Sequence, residues 1–365
     1  MAKKKYAALE EIKAQKKRNR LLNREWYSLR SILGYWWAMF LFLLGGREAG
    51  KSYAVTDFFC RQWRCYGRPF YWLRLTDASQ KKLLANNAEK LIDPDLRRKY
   101  NLDIVTNGTN VYEVLERDEK GKVKKKALMA RVLALSTFYN DKGNGLFDKD
   151  FLNDPNMYYN ICFDEMNREK NEKKSFDIVY AFTNQMENIV RSTKKRLRCI
   201  CIGNTLEEAS DMLCALNFLP EDFGRYKLKS KRAIVEYIEP SEKYLTRRKG
   251  TVADILMPQA STFTNKIETD NSLIDKRRLL VPKQVIKFTK DKADWFTLWD
   301  NGILVQYNNE KCSNVVAMKP YLDEPFNVEL KNNIYMLFDS RCFRFKNLIT
   351  FKRFQQELEL LRPKK

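Results

Sequence analysis

Seven consecutive apolar residues, Ala38 to Leu44, stop abruptly at Gly45 and Gly46. A short unbroken apolar run ended by glycine is the pattern of a strand buried on both faces of a parallel sheet. From Lys51 the spacing becomes helical and predicts a helix ending near Gly67, with Pro69 just beyond as a second stop signal. Phe70 to Leu75 predicts a second strand, and Asn110–Glu116 and Ala127–Leu135, flanking the charged Lys120-Gly121-Lys122 turn, predict a hairpin. An apolar strand over Tyr159–Phe163, a helix over about 176–191 and a strand over Arg198–Gly203 follow. Alternation of strand and helix predicts an α/β fold with a mainly parallel sheet.

After about Pro220 the texture changes. Basic loops at Lys227–Arg232 and Arg247–Lys249 lead into short strands at 285–288, 295–299 and 303–307, and an amphipathic helix is predicted over about 350–361. Asp300-Asn301-Gly302 predicts a hairpin with a type I′ turn, because Asn-Gly accepts positive φ. The expected division is a basic helical arm over 1–30, an α/β domain over 31–205, a linker or lid over 206–240, and a smaller α+β domain over 241–365.

The charge narrows the partners. Sixty-eight Lys and Arg against 46 Asp and Glu leave a formal +22, a field that favours a polyanion, of which nucleic acid is the commonest. There is no histidine, and none of the eight cysteines forms a Cys-x-x-Cys pair, which removes imidazole bases and most zinc sites. The longest apolar stretch, 32–44, falls short of the roughly 20 residues needed to cross a bilayer. The expectation is a soluble, intracellular chain without a membrane partner.

The chemistry lies where the first strand ends. Gly45-Gly46-Arg47-Glu48-Ala49-Gly50-Lys51-Ser52 matches G-x-x-x-x-G-K-[ST] between a buried strand and a helix. In such a loop backbone N–H groups curl around phosphate oxygens, Lys51 reaches the β and γ phosphates of ATP, and the Ser52 hydroxyl binds Mg²⁺. Tyr159–Phe163 delivers adjacent carboxylates, Asp164 for the Mg²⁺ shell and Glu165 to orient and deprotonate the attacking water. The strand at 198–203 ends at Asn204, whose side chain could sense the γ phosphate, and Trp36, Trp37 and Arg74 lie near strand ends where a base could stack, although core packing explains the tryptophans equally well. Arg191, Lys194, Lys195, Arg196 and Arg198 form a basic cluster upstream.

Three segments together, Phe42–Ala54 (FLLGGREAGKSYA), Ile161–Lys170 (ICFDEMNREK) and Arg196–Asn204 (RLRCICIGN), resemble the DNA-packaging ATPases of phi29-like podoviruses. The resemblance implies an ASCE-type P-loop ATPase forming a homopentameric ring at the capsid portal, in the host-cell cytoplasm, that passes double-stranded DNA into a procapsid. It leaves open a structural RNA as a further partner. Arg47 is similar to the arginine inside the family's phosphate loop, and Arg191 to its trans-acting finger, with Arg196 as a rival. Leu135–Lys142 resembles a pore-facing loop, which makes Lys142 a DNA contact. Asp77 stands where the family has a lysine, and Lys81 or Lys82 substitutes. The family's C-terminal domain resembles an RNase H-like nuclease without its active site; Asp300, Asp323 and Asp339 lack a metal-binding spacing, so no cleavage is expected. A helicase or DNA-partitioning ATPase shares the phosphate loop and the charge, but no helicase motif beyond the carboxylates is apparent. A non-catalytic DNA binder would be indifferent to Lys51→Ala.

Overall fold

The structure, a computed structural model, describes residues 25–141, 153–167, 176–190, 196–204, 210–220, 222–256, 258, 272–305 and 312–362. Residues 1–24 of the basic arm, Lys142 and Arg191 lie outside the described residues. The chain divides into two compact units, one of residues 1–208 and 220–268, the other of 209–219 and 269–365.

The larger unit is built on a nine-stranded sheet. In chain order its strands are β1 (Phe40–Leu44), β2 (Phe70–Arg74), β3 (Ile104–Asn107), β4 (Asn110–Arg117), β5 (Val123–Ala134), β6 (Tyr159–Phe163), β7 (Leu197–Gly203), β8 (Gly224–Leu228) and β9 (Ala233–Tyr237). Their spatial order is β3-β4-β5-β2-β6-β7-β1-β9-β8. The six strands from β5 to β9 in that order run parallel, and antiparallel pairs close both edges. β2 and β6 are buried along their whole length, as continuous apolar strands covered on both faces must be.

Period-two alternation sorts those strands onto two helical layers. Helix α1 (Lys51–Tyr66) sets Phe59 against Phe70 at 4.9 Å and Trp72 at 6.4 Å. On the opposite face Phe182, from the helix Ile178–Val190, meets Phe163 at 5.3 Å and Phe40 at 6.3 Å. α1 ends on Gly67 at φ 60°, whose N–H returns to the carbonyl of Trp63, while the Arg68 N–H returns to that of Gln62. Helices α2 (Asp77–Ala88) and α3 (Pro94–Tyr100) follow β2; the helix Ile178–Val190 is α4.

The smaller unit is α+β. Strands β10 (Pro282–Lys287), β11 (Trp295–Trp299), β12 (Ile303–Val305), β13 (Val315–Ala317) and β14 (Arg344–Phe345) form a mixed sheet in the order β13-β10-β11-β12-β14. Helix α5 (Asp211–Leu216) belongs to this unit, as do α8 (Val328–Asp339) and α9 (Leu348–Leu361); α6 (Glu242–Arg248) and α7 (Val252–Leu256) belong to the larger one. Phe288, Phe296, Phe343, Phe345 and Phe354 fill its core.

Two expectations need correcting. The supposed linker over 206–240 holds β8 and β9, and β9 pairs directly with β1; the smaller unit resumes only at 269 and also takes 209–219. The charged 227–232 turn masked a strand of only five residues, and its pairing across the sheet leaves no trace in local sequence. The 300–302 turn is not type I′: Gly302 has φ 76°, but Asn301 is absent from the positive-φ residues. The connection is the three-residue kind, with one left-handed glycine.

Candidate active site

The C-terminal ends of β1, β2, β6 and β7 converge on one edge of the sheet, the edge where open α/β sheets bind ligands. β7 lies between β1 and β6, so the phosphate loop and the carboxylate strand are not neighbours, and Asn204 emerges between them.

The loop 45–50 joins β1 to α1, with Glu48 at φ 60° and Gly50 at φ 82°. At Gly50 a side chain would be strained twice over, because an added Cβ would also lie 3.1 Å from Trp26. Lys51 opens the helix and folds back, its Nζ donating to the carbonyls of Gly45 (2.8 Å) and Gly46 (2.6 Å). Those carbonyls stand where phosphate oxygens would meet the ammonium. Burial lowers Lys51 to about 8, against the pull of Asp164.

The Ser52 hydroxyl donates to Asp164 Oδ1 at 3.1 Å. A hydroxyl and a carboxylate in contact at the helix N-terminus are hard oxygen donors of the kind that could hold Mg²⁺ beside a phosphate. Asp164 is 5% exposed, and burial pushes its carboxyl above the ordinary range, opposed by Arg74. Glu165 adopts φ 54°, a left-handed turn that exposes its carboxylate while Asp164 points inward.

Arg74 ties the carboxylates together. Its guanidinium, at the end of β2, pairs with Glu165 and lies 3.6 Å from Asp164. Burial disfavours its charge, but the two carboxylates outweigh burial and hold it protonated. Arg74 is therefore engaged by the two carboxylates rather than left open as a base-stacking surface. Its place, ending an apolar strand next to the carboxylate strand, was a signal available in the sequence. Trp36 also departs from expectation: it precedes β1, at the end of the strand opposite the phosphate loop, with Arg196 at 4.0 Å over its ring.

A cavity of about 490 Å³ is lined by Arg47, Glu48, Ala49, Gly50, Lys51, Ser52, Asp164, Glu165 and Asn204, so these predicted site residues are brought together. A second, of about 670 Å³, shares Gly50 and Tyr53 with it and continues between Trp26, Tyr27, Asp57 and Tyr100. Lys81 and Lys82 are exposed on α2, Lys81 held by Asp77 at 2.7 Å. Asp323 pairs with Lys290 and Asp339 with Arg362, and among the described residues no group of three His, Cys, Asp or Glu could hold a metal.

A parallel sheet with a phosphate loop at one strand end and paired carboxylates two strands away defines a P-loop ATPase of the ASCE type. The family model for the podovirus DNA encapsidation protein (Gp16) matches residues 23–359. The DNA packaging proteins of Bacillus phages phi29 and PZA are each 24% identical over 265 residues, 72% of this chain and 69% of theirs. Two solved structures share the fold: the bacteriophage phi29 genome packaging motor assembly (TM-score 0.64, 21% identity, 93% of this chain and 100% of that one) and the phi28 gp11 DNA packaging motor (0.62, 16%, 93% and 99%). The chain belongs to the podovirus DNA encapsidation protein family, and it is a DNA-packaging ATPase.

Proposed function

We propose that this chain is the ATP-hydrolysing subunit of a ring, a pentamer by resemblance, that drives double-stranded phage DNA through the portal into a procapsid. The observation that carries the proposal is the convergence of Lys51, Ser52, Asp164 and Glu165 on one cavity in a chain of net charge +22. The triphosphate of ATP takes the place of the Gly45 and Gly46 carbonyls at Lys51 Nζ. Ser52 and Asp164 would hold Mg²⁺, which would supply charge neutralisation for the phosphates. Glu165 orients the attacking water and accepts its proton, which it can do once its pairing with Arg74 is relaxed. The ribose and base leave the phosphate loop at Tyr53 and enter the adjoining cavity beside Trp26 and Tyr27.

The finger is proposed to act on a neighbour. Arg196 lies at the N-terminal end of β7, a strand of seven residues, roughly 20 Å from the edge that holds the nucleotide. A residue there reaches a neighbouring subunit's ATP more readily than its own. Arg196 is engaged by Trp36, donating to its carbonyl at 3.3 Å, which favours Arg191 as the finger. Lys142, Lys81 and Lys82 are proposed as sequence-independent contacts to the DNA backbone.

The test is steady-state ATP hydrolysis by wild type and Glu165→Gln, with and without duplex DNA. Stimulation by duplex DNA in wild type, and loss of at least a hundredfold in the variant, is expected. Equal activity in both proteins, or stimulation by single strands alone, would overturn the assignment.

A further inference from the structure

The sequence motif names only the loop, yet much of what fixes the loop comes from nearly 200 residues downstream. Tyr244 and Arg248, on α6, reach the back of the loop: the Tyr244 hydroxyl donates to the carbonyl of Arg47 at 2.9 Å, and Arg248 Nη1 to the same carbonyl at 3.1 Å. Arg248 Nη1 also donates to the Tyr244 hydroxyl at 3.2 Å, so the two side chains form one closed grip. Both are buried, 3% and 5% exposed. Arg247, stacked 3.7 Å over the Trp26 ring, donates to the carbonyl of Glu48 at 2.7 Å. The Tyr27 N–H donates to the carbonyl of Ala49 at 2.9 Å. Three successive carbonyls, 47 to 49, are thus held from outside the loop.

Peptide planarity gives this pattern its meaning. A carbonyl and the N–H of the following residue share one trans plane and point in opposite directions. Holding the carbonyls of Arg47, Glu48 and Ala49 outward therefore turns the N–H groups of Glu48, Ala49 and Gly50 toward the cavity these residues line. Successive N–H groups converging on one concavity make an anion-binding nest. The Arg248 guanidinium behind the loop adds positive potential, with its nearest carboxylate, Glu48, at 3.7 Å.

We infer that Tyr244 and Arg248 are positioning residues for the triphosphate: from α6 they set the peptide orientation of the phosphate loop before any nucleotide arrives. The inference rests on the loop being the triphosphate site, and it concerns the phosphates alone, not the base. Removing the grip frees the Arg47–Glu48 peptide to rotate, and binding must then fix it at the expense of affinity.

The test compares Tyr244→Phe and Arg248→Lys with wild type. Dissociation constants are measured for a fluorescent ATP analogue and, by competition, for inorganic tripolyphosphate; KM and kcat are measured alongside, and melting curves verify folding. Losing one or both of these hydrogen bonds weakens the analogue and tripolyphosphate by the same factor, about threefold for Tyr244→Phe and about tenfold for Arg248→Lys. KM rises in step, while kcat at saturation stays within about twofold. Should Arg248→Lys fail to fold, the isosteric Tyr244→Phe decides. Unchanged affinities in folded variants overturn the inference, as does a loss confined to the ATP analogue, which would place these residues at the base. Undiminished tripolyphosphate binding by Lys51→Ala would remove the phosphate-loop reading itself, and the inference with it.

Discussion

Lys51 and Arg74 show how burial shapes the site residue by residue. Lys51 is lowered from 10.5 to about 8, so between those values the unfolded chain holds a proton that the folded protein lacks. The nucleotide-free protein therefore gains stability as pH rises from about 8 toward 10.5. Phosphate binding needs the charged ammonium, so above pH 8 binding takes up a proton. Affinity for an ATP analogue should fall as pH rises from 7 to 9, and calorimetry in buffers of different ionisation enthalpy should show the uptake; a flat profile would count against it. Arg74 is the counterion of a buried carboxylate, and its loss strands Asp164. Arg74→Ala should lower stability by about 3 kcal/mol, read from denaturant unfolding of the nucleotide-free protein.

At the scale of elements, α1 carries the loop at one end and a left-handed glycine at the other. The space around Gly67 is open, so an alanine there meets no clash and costs only its positive φ, about 1 kcal/mol. Gly67→Ala should lower the melting temperature by a few degrees and leave ATP turnover at saturation unchanged. The helix is 16 residues long, which puts that cap some 24 Å from the loop. Both ends of α1 were legible in the sequence because capping is local chemistry. The role of α6 was not, since Arg247 and Arg248 have the composition of a solvated basic loop. Their partners are set by β9 pairing with β1, which brings α6 behind the phosphate loop.

For the whole molecule, the proposed trans-acting finger would make activity a property of neighbours. Mixing increasing amounts of Arg191→Ala into wild type should depress DNA-stimulated hydrolysis more steeply than the wild-type fraction declines. A strictly proportional decline would mean that each subunit completes its own site. Two units joined by three passages of the chain also follow from the whole structure. Composition shifts near Pro220 suggested one boundary, whereas the chain leaves the larger unit, returns to complete its sheet, and leaves again.

The parallel α/β core, the phosphate loop and the carboxylate pair are written into the order of residues, because buried parallel strands must be continuously apolar and phosphate chemistry demands glycine, lysine and hydroxyl at fixed spacing. Folding in three dimensions adds the rest: β7 separates the loop from the carboxylates, Arg74 binds both acids, Trp36 lies at the far end of the strand from the phosphate loop, and α6 grips the loop from behind. Each of these depends on which strands lie side by side. That order is fixed by packing and by hydrogen bonds between segments up to about 200 residues apart, and no local pattern records it.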